Sequence, residues 1–133
     1  MILVDANVLL DILTNDPDWR EWSEARFLDG VEQDRLAINP IIYAEISIGF
    51  RSVTQLEKVL TDLPLARLPL PYPAAFRAGQ AFLRYRKEGG THRSPLPDFY
   101  IGAHAEHENC KLLTRETARY RTYFPKVTLI APG

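Results

Sequence analysis

The sequence predicts an α/β domain with a mainly parallel sheet, and three observations carry that prediction. Short aliphatic runs alternate with longer helical stretches along the whole chain. The first run, Ile2-Leu3-Val4, shows no polar alternation, which suits a strand covered on both faces. It ends on Asp5, and in open parallel sheets ligands and catalytic groups collect at the carboxyl ends of the strands.

Taken in order, the first strand covers Ile2 to Asp5 and a short helix follows from Asn7. Asn15-Asp16-Pro17 breaks it, and a second helix runs from Trp19 to about Glu32, with Trp19 and Trp22 packing it onto the sheet. Leu36-Ala37-Ile38 is the next strand. Asn39-Pro40 reads as an N-cap with proline at the first helical position, and the helix it opens carries Glu45 among Ile41, Ile42, Ala44, Ile46 and Ile48, an apolar set that looks buried. Val53 to Leu63 is a further helix, and Ala66-Arg67-Leu68 is a short strand between prolines. Pro73 to Lys87 forms a long helix that Gly89-Gly90 stops, and Thr91 to Leu96 is loop. Pro97-Asp98 opens a helix to about His107, Lys111 to Thr114 is a strand, Thr117 to Tyr123 a short helix and Val127 to Ile130 the last strand.

A chain of 133 residues fits one domain, residues 1–133, with a single core. It has no apolar stretch long enough to span a membrane and no basic-then-apolar leader, so the expectation is a soluble, cytoplasmic protein. One cysteine, Cys110, excludes an internal disulfide and a cysteine zinc site, and its apolar setting reads as a buried small residue. A net charge of -1 argues against a broad electrostatic grip on nucleic acid but leaves room for a local one. Basic residues do gather in the second half, at Arg84-Tyr85-Arg86-Lys87, His92-Arg93, Arg115, Arg119, Arg121 and Lys126.

Four acids fall at element ends or on inward helix faces. Asp5 ends the first strand, Asp98 lies in the first turn of its helix and Glu116 follows the strand Lys111-Leu112-Leu113-Thr114. Glu45 sits in apolar surroundings, where a carboxylate needs a partner, and a divalent cation is one. Carboxylates converging without His or Cys select a hard ion, Mg²⁺ or Mn²⁺, whose open positions take phosphate oxygens. The chemistry this suits is phosphodiester hydrolysis.

Val4-Asp5-Ala6-Asn7, Ile42-Tyr43-Ala44-Glu45-Ile46, Leu96-Pro97-Asp98-Phe99-Tyr100-Ile101-Gly102-Ala103 and Leu112-Leu113-Thr114-Arg115-Glu116 together resemble the PIN-domain ribonucleases. Within that family the match is to the VapC-type toxins of prokaryotic toxin–antitoxin pairs, and it covers nearly the whole chain. The resemblance implies a three-layer α/β/α sandwich, an endoribonuclease, a homodimer, and a VapB-like antitoxin whose tail blocks the site. It also implies metal ligation by Asp5, Glu45 and Asp98, with Asn7 supporting them and Thr114 lying in the matched motif. Glu116 departs from the pattern, because the family usually places Asp there. Glu keeps the charge and is longer by one methylene, so it reaches the metal or its water from a slightly displaced backbone or else only complements the dipole of the following helix.

The remaining features yield weaker expectations. His104 and His107 have a spacing that suits zinc but no third ligand, and they read as surface histidines near a helix end. Asp11, one turn after Asn7, reads as a solvated acid. Arg84, Arg86, Lys87, His92 and Arg93 flank a Gly89-Gly90 hinge, and with Tyr85 as a stacking face they suit a path for single-stranded RNA. The candidate RNA contacts are therefore Arg86, Arg93 and Arg115. A haloacid-dehalogenase-like phosphatase needs a second Asp where Asn7 stands. A non-catalytic PIN-like module that sequesters RNA or a protein partner is the alternative from another class.

Overall fold

The computed structural model describes residues 1–133, and five strands form one sheet in the order β3-β2-β1-β4-β5. They are β1 (Ile2–Val4), β2 (Leu36–Ile38), β3 (Leu65–Arg67), β4 (Lys111–Leu113) and β5 (Leu129–Ile130). Every pairing is parallel, with Leu3 opposite Ala37 on one side and Leu112 on the other. Seven helices complete the three-layer α/β/α sandwich: α1 (Ala6–Leu13), α2 (Arg20–Gln33), α3 (Pro40–Ser47), α4 (Val53–Thr61), α5 (Tyr72–Lys87), α6 (Pro97–His107) and α7 (Ala118–Tyr123).

β1 and β2 are apolar throughout because both faces are covered. All of β1 and β2 is buried, whereas the edge strands β3 and β5 are only partly so. Leu3, Val4, Ile38, Leu112 and Leu113 meet Ile42, Ile46, Phe99, Ile101 and Phe124 in one core. Helix starts follow the expected chemistry. Asn39 caps α3 by accepting from the Ile42 amide at 2.9 Å, with Pro40 next to it, and Ser52 caps α4 through the Gln55 amide. The strands are shorter than the sequence suggests, since β4 stops at Leu113 and leaves Thr114 just beyond the ladder.

Chain order places the site. From β1 the chain steps outward to β2 and β3, then returns to β4 on the other flank of β1, so the topological switch lies between β1 and β4. Asp5 follows one of these strands and Thr114 the other.

Three expectations change. Asp11 is buried, not solvated: α2 packs across α1 there, and the carboxylate accepts from Ser23 at 2.6 Å and from two nitrogens of Arg115 at 2.7 and 2.8 Å. His104 is buried as well, because α6 packs against α3, α5 and α7 together; its Nδ1 accepts from the Asn39 amide at 3.0 Å, and only His107 is exposed. Ile48, taken as buried, is 87% exposed beyond the end of α3. Gly89-Gly90 stops α5, as the sequence predicts. Gly89 adopts φ 96°, and a Cβ on Gly90 would lie 2.2 Å from Cε1 of Tyr85.

Candidate active site

Asp5 is the centre of the site and the most heavily bonded carboxylate in it. Its Oδ1 accepts from the Ala6 amide at 2.8 Å, which starts α1 one residue earlier than expected. Its Oδ2 accepts from the Thr114 hydroxyl at 2.9 Å, the Tyr120 hydroxyl at 2.8 Å and, more loosely, the Asn7 amide at 3.4 Å. Burial pushes the Asp5 carboxyl above the ordinary range, the Tyr120 and Thr114 hydroxyls pull it back, and the nearby Asp98 charge adds to the rise.

Asn7 and Thr114 lock the two strand ends together. The Asn7 amide nitrogen donates to Thr114 Oγ1 at 3.2 Å while its oxygen accepts from the Arg115 amide at 3.2 Å. Thr114 is wholly buried and also accepts from the Glu116 amide at 3.1 Å. Neither side chain is free to turn.

Glu45 faces the same end of the sheet from α3. Burial, followed by the charges of Asp5 and Asp98, pushes its carboxyl up to about 7. One of its oxygens, Oε1, is buried and has no hydrogen-bond partner. Asp98, in the first turn of α6, is also raised by burial; the Arg119 guanidinium pulls it down and the Glu116 charge pushes it up. Arg119 Nε lies 3.9 Å from Asp98 Oδ2, and its guanidinium stands over the rings of Phe99 and Tyr85.

Asp5, Glu45 and Asp98 thus share a field, while Glu116 stands at its rim. The Glu116 side chain is 72% exposed, touches only Arg115 at 3.8 Å and reaches the cluster through its charge on Asp98. No three acidic or imidazole side chains close into a preformed metal cage. The donor chemistry nevertheless fits a hard cation: three carboxylates, each disfavoured as an anion by burial, with an unpartnered buried oxygen among them.

The expected RNA contacts fall into two groups. Arg86 donates to the His92 carbonyl at 2.9 Å and tethers the loop before α6, and Arg93 in that loop is exposed. Arg115 is committed elsewhere, paired to Asp11 and stacked over the Trp19 ring. Tyr85 is half-buried in an aromatic cluster with Phe82, Phe99 and Tyr123, and the Arg119 guanidinium stands over its ring. Tyr120 was missed. It lies in a six-residue helix, and nothing local marks its hydroxyl as the partner of an acid at the other end of the chain.

A family profile described as PIN domain matches residues 2–125. The chain belongs to the PIN domain family. PIN domains are typically nucleases. Solved structures share the fold at low identity. VapBC2 from Rickettsia felis, bound to a DNA fragment from its promoter, matches with TM-score 0.75 at 20% identity, covering 100% of each chain. DNA-bound VapBC from Salmonella typhimurium matches with TM-score 0.72 at 21% identity over 98% of this PIN domain and 96% of that chain. A toxin–antitoxin complex from Klebsiella pneumoniae matches with TM-score 0.67 at 22% identity over 96% of each. No curated protein matches the sequence.

Proposed function

We propose that this PIN domain is an endoribonuclease that hydrolyses RNA phosphodiester bonds with Mg²⁺ or Mn²⁺, the toxin of a toxin–antitoxin pair. The observation that carries the reading is Glu45: a carboxyl raised to about 7, with an unpartnered buried oxygen, beside two further raised carboxyls. Asp5, Glu45 and Asp98 would hold the ion, and Glu116 would reach it or its water from the rim. When bound, such an ion polarises the phosphoryl group and lowers the pKa of an attacking water.

The chain's own groups prepare that site. Thr114 and Asn7 fix Asp5 against both strand ends, and Arg119 offsets the charge of Asp98 from the α7 side. Glu45 carries a proton for much of the time near neutral pH without a cation, so cation binding releases one. Arg86 and Arg93 border the loop that leads into α6, and they would be the groups that contact the RNA backbone. The toxin–antitoxin neighbours support a VapB-like antitoxin as partner, and a homodimer acting in the cytoplasm completes the proposal. No helix is long and apolar enough to cross a membrane.

The purified chain, free of antitoxin, is expected to cleave RNA with Mg²⁺ or Mn²⁺ and to stop with chelator and in Asp5→Asn. Cleavage that survives both changes overturns the metal mechanism. The exposure of Glu116 favours one second reading, a domain that binds RNA without cutting it. RNA retention with no cleavage at any metal concentration would establish that instead.

A further inference from the structure

We propose that the Tyr120 hydroxyl is a positioning group for Asp5, fixing which carboxylate oxygen a cation can take; this rests on the metal-dependent reading above. A carboxylate oxygen has two in-plane lone pairs. On Oδ2 of Asp5 both are met by hydroxyls, Tyr120 at 2.8 Å and Thr114 at 2.9 Å, and Asn7 crowds the same atom at 3.4 Å. On Oδ1 only the Ala6 amide is bonded, at 2.8 Å, so that oxygen keeps a lone pair. Asp5 therefore presents a single oxygen. That suits Mg²⁺ or Mn²⁺, which holds near-octahedral geometry and keeps several waters.

Tyr120 carries this arrangement in a way that Thr114 does not. Thr114 follows β4 directly, and the pairing of Val4 with Leu113 would hold it beside Asp5 in any case. Tyr120 comes from α7 and is the one donor to Asp5 from outside the two strand ends and the turn between Asp5 and Asn7. Its ring is 1% exposed, so its hydroxyl has no water to turn to, and Asp5 is its only hydrogen-bond partner. The bond also anchors α7. The segment from Thr114 to Tyr120 carries Glu116 and Arg119, so one hydroxyl fixes both the Asp5 carboxylate and the two charges that act on Asp98. Without it Oδ2 would open to a cation or to water, and Asp5 could turn away from single-oxygen geometry.

Tyr120→Phe removes that hydroxyl and keeps the ring in the core, and its thermal unfolding reports whether the fold stands. Mn²⁺ titration of the metal-free protein is the first readout. Loss of an outer partner of a metal ligand typically lowers affinity by about 10–100-fold, and a fall in that range is expected for Tyr120→Phe. Tyr123→Phe, on the same helix but packed on Phe99, is expected to bind as wild type. In an Asp5→Asn background the Tyr120→Phe change is expected to cost nothing more. RNA cleavage should lose kcat at limiting Mn²⁺, recover with excess Mn²⁺ and keep its KM for RNA. Wild-type Mn²⁺ affinity in a folded Tyr120→Phe, or an equal further loss in the Asp5→Asn background, overturns the inference and leaves the metal reading standing. Absence of both Mn²⁺ binding and cleavage in the wild type overturns the metal reading and this inference with it.

Discussion

Glu45→Gln is expected to stabilise the metal-free protein above neutral pH while abolishing its activity. In the unfolded chain this carboxyl titrates at 4.5, and in the fold at about 7, because burial and the charges of Asp5 and Asp98 oppose its ionisation. Below the lower value both states hold the proton and Glu45 costs nothing. As pH rises between the two values the unfolded chain releases the proton first, so stability falls; above the higher value the penalty is constant. Raising a pKa from 4.5 to about 7 corresponds to a ceiling near 3.4 kcal/mol at about 1.36 kcal/mol per pH unit. Glu45 is only half-buried, and solvent screening brings this to about 1–2 kcal/mol. Urea unfolding with chelator present, at about pH 4.5 and about pH 8.5, measures it: Glu45→Gln should exceed wild type by that amount at the higher pH and by a few tenths at the lower. Saturating Mn²⁺ should close the gap by stabilising only the wild type. A gain that is the same at both pH values, or absent at the higher, would refute the view that Glu45 is held ionised against its surroundings.

Three further outcomes test other parts of the site. Arg115→Ala strands the buried Asp11 carboxylate and should cost about 3 kcal/mol in urea unfolding, whereas a change within about 0.5 kcal/mol would show that the pair is idle and return Arg115 to the RNA surface. Glu116→Gln should leave Tm unchanged, given its exposure, while lowering cleavage, and Glu116→Asp should keep or raise it; equal cleavage in wild type and Glu116→Gln would leave Glu116 only its place beside the α7 helix. Removing Arg86 and Arg93 should weaken RNA binding and flatten its salt dependence by about 0.7 in slope per lost phosphate contact, with Mn²⁺ affinity intact; an unchanged slope would place the RNA elsewhere.

The parts of this site that could be read from the sequence are those whose role is set by neighbours along the chain. Asp5 terminates an apolar strand, Asp98 follows a helix-starting proline, and Glu45 interrupts an apolar helix, so each is marked by its own few residues. The parallel sheet was legible for the same reason, since strands covered on both faces lose their polar alternation. Asp11, His104 and Tyr120 were not legible, because their partners lie 104, 65 and 115 positions away. Helical periodicity identifies an inward face only when a helix has one neighbour to bury it. α1 lies between α2 and α3, and α6 against α3, α5 and α7, so a polar residue on the nominal outer face of either is enclosed by a second helix and must be satisfied there. The same enclosure explains why the acids alone do not define the centre. Three candidate ligands reach it from β1, α3 and α6, but the hydroxyl that closes on Asp5 belongs to α7, an element whose sequence, Ala-Arg-Tyr-Arg-Thr-Tyr, reads locally only as a short basic helix.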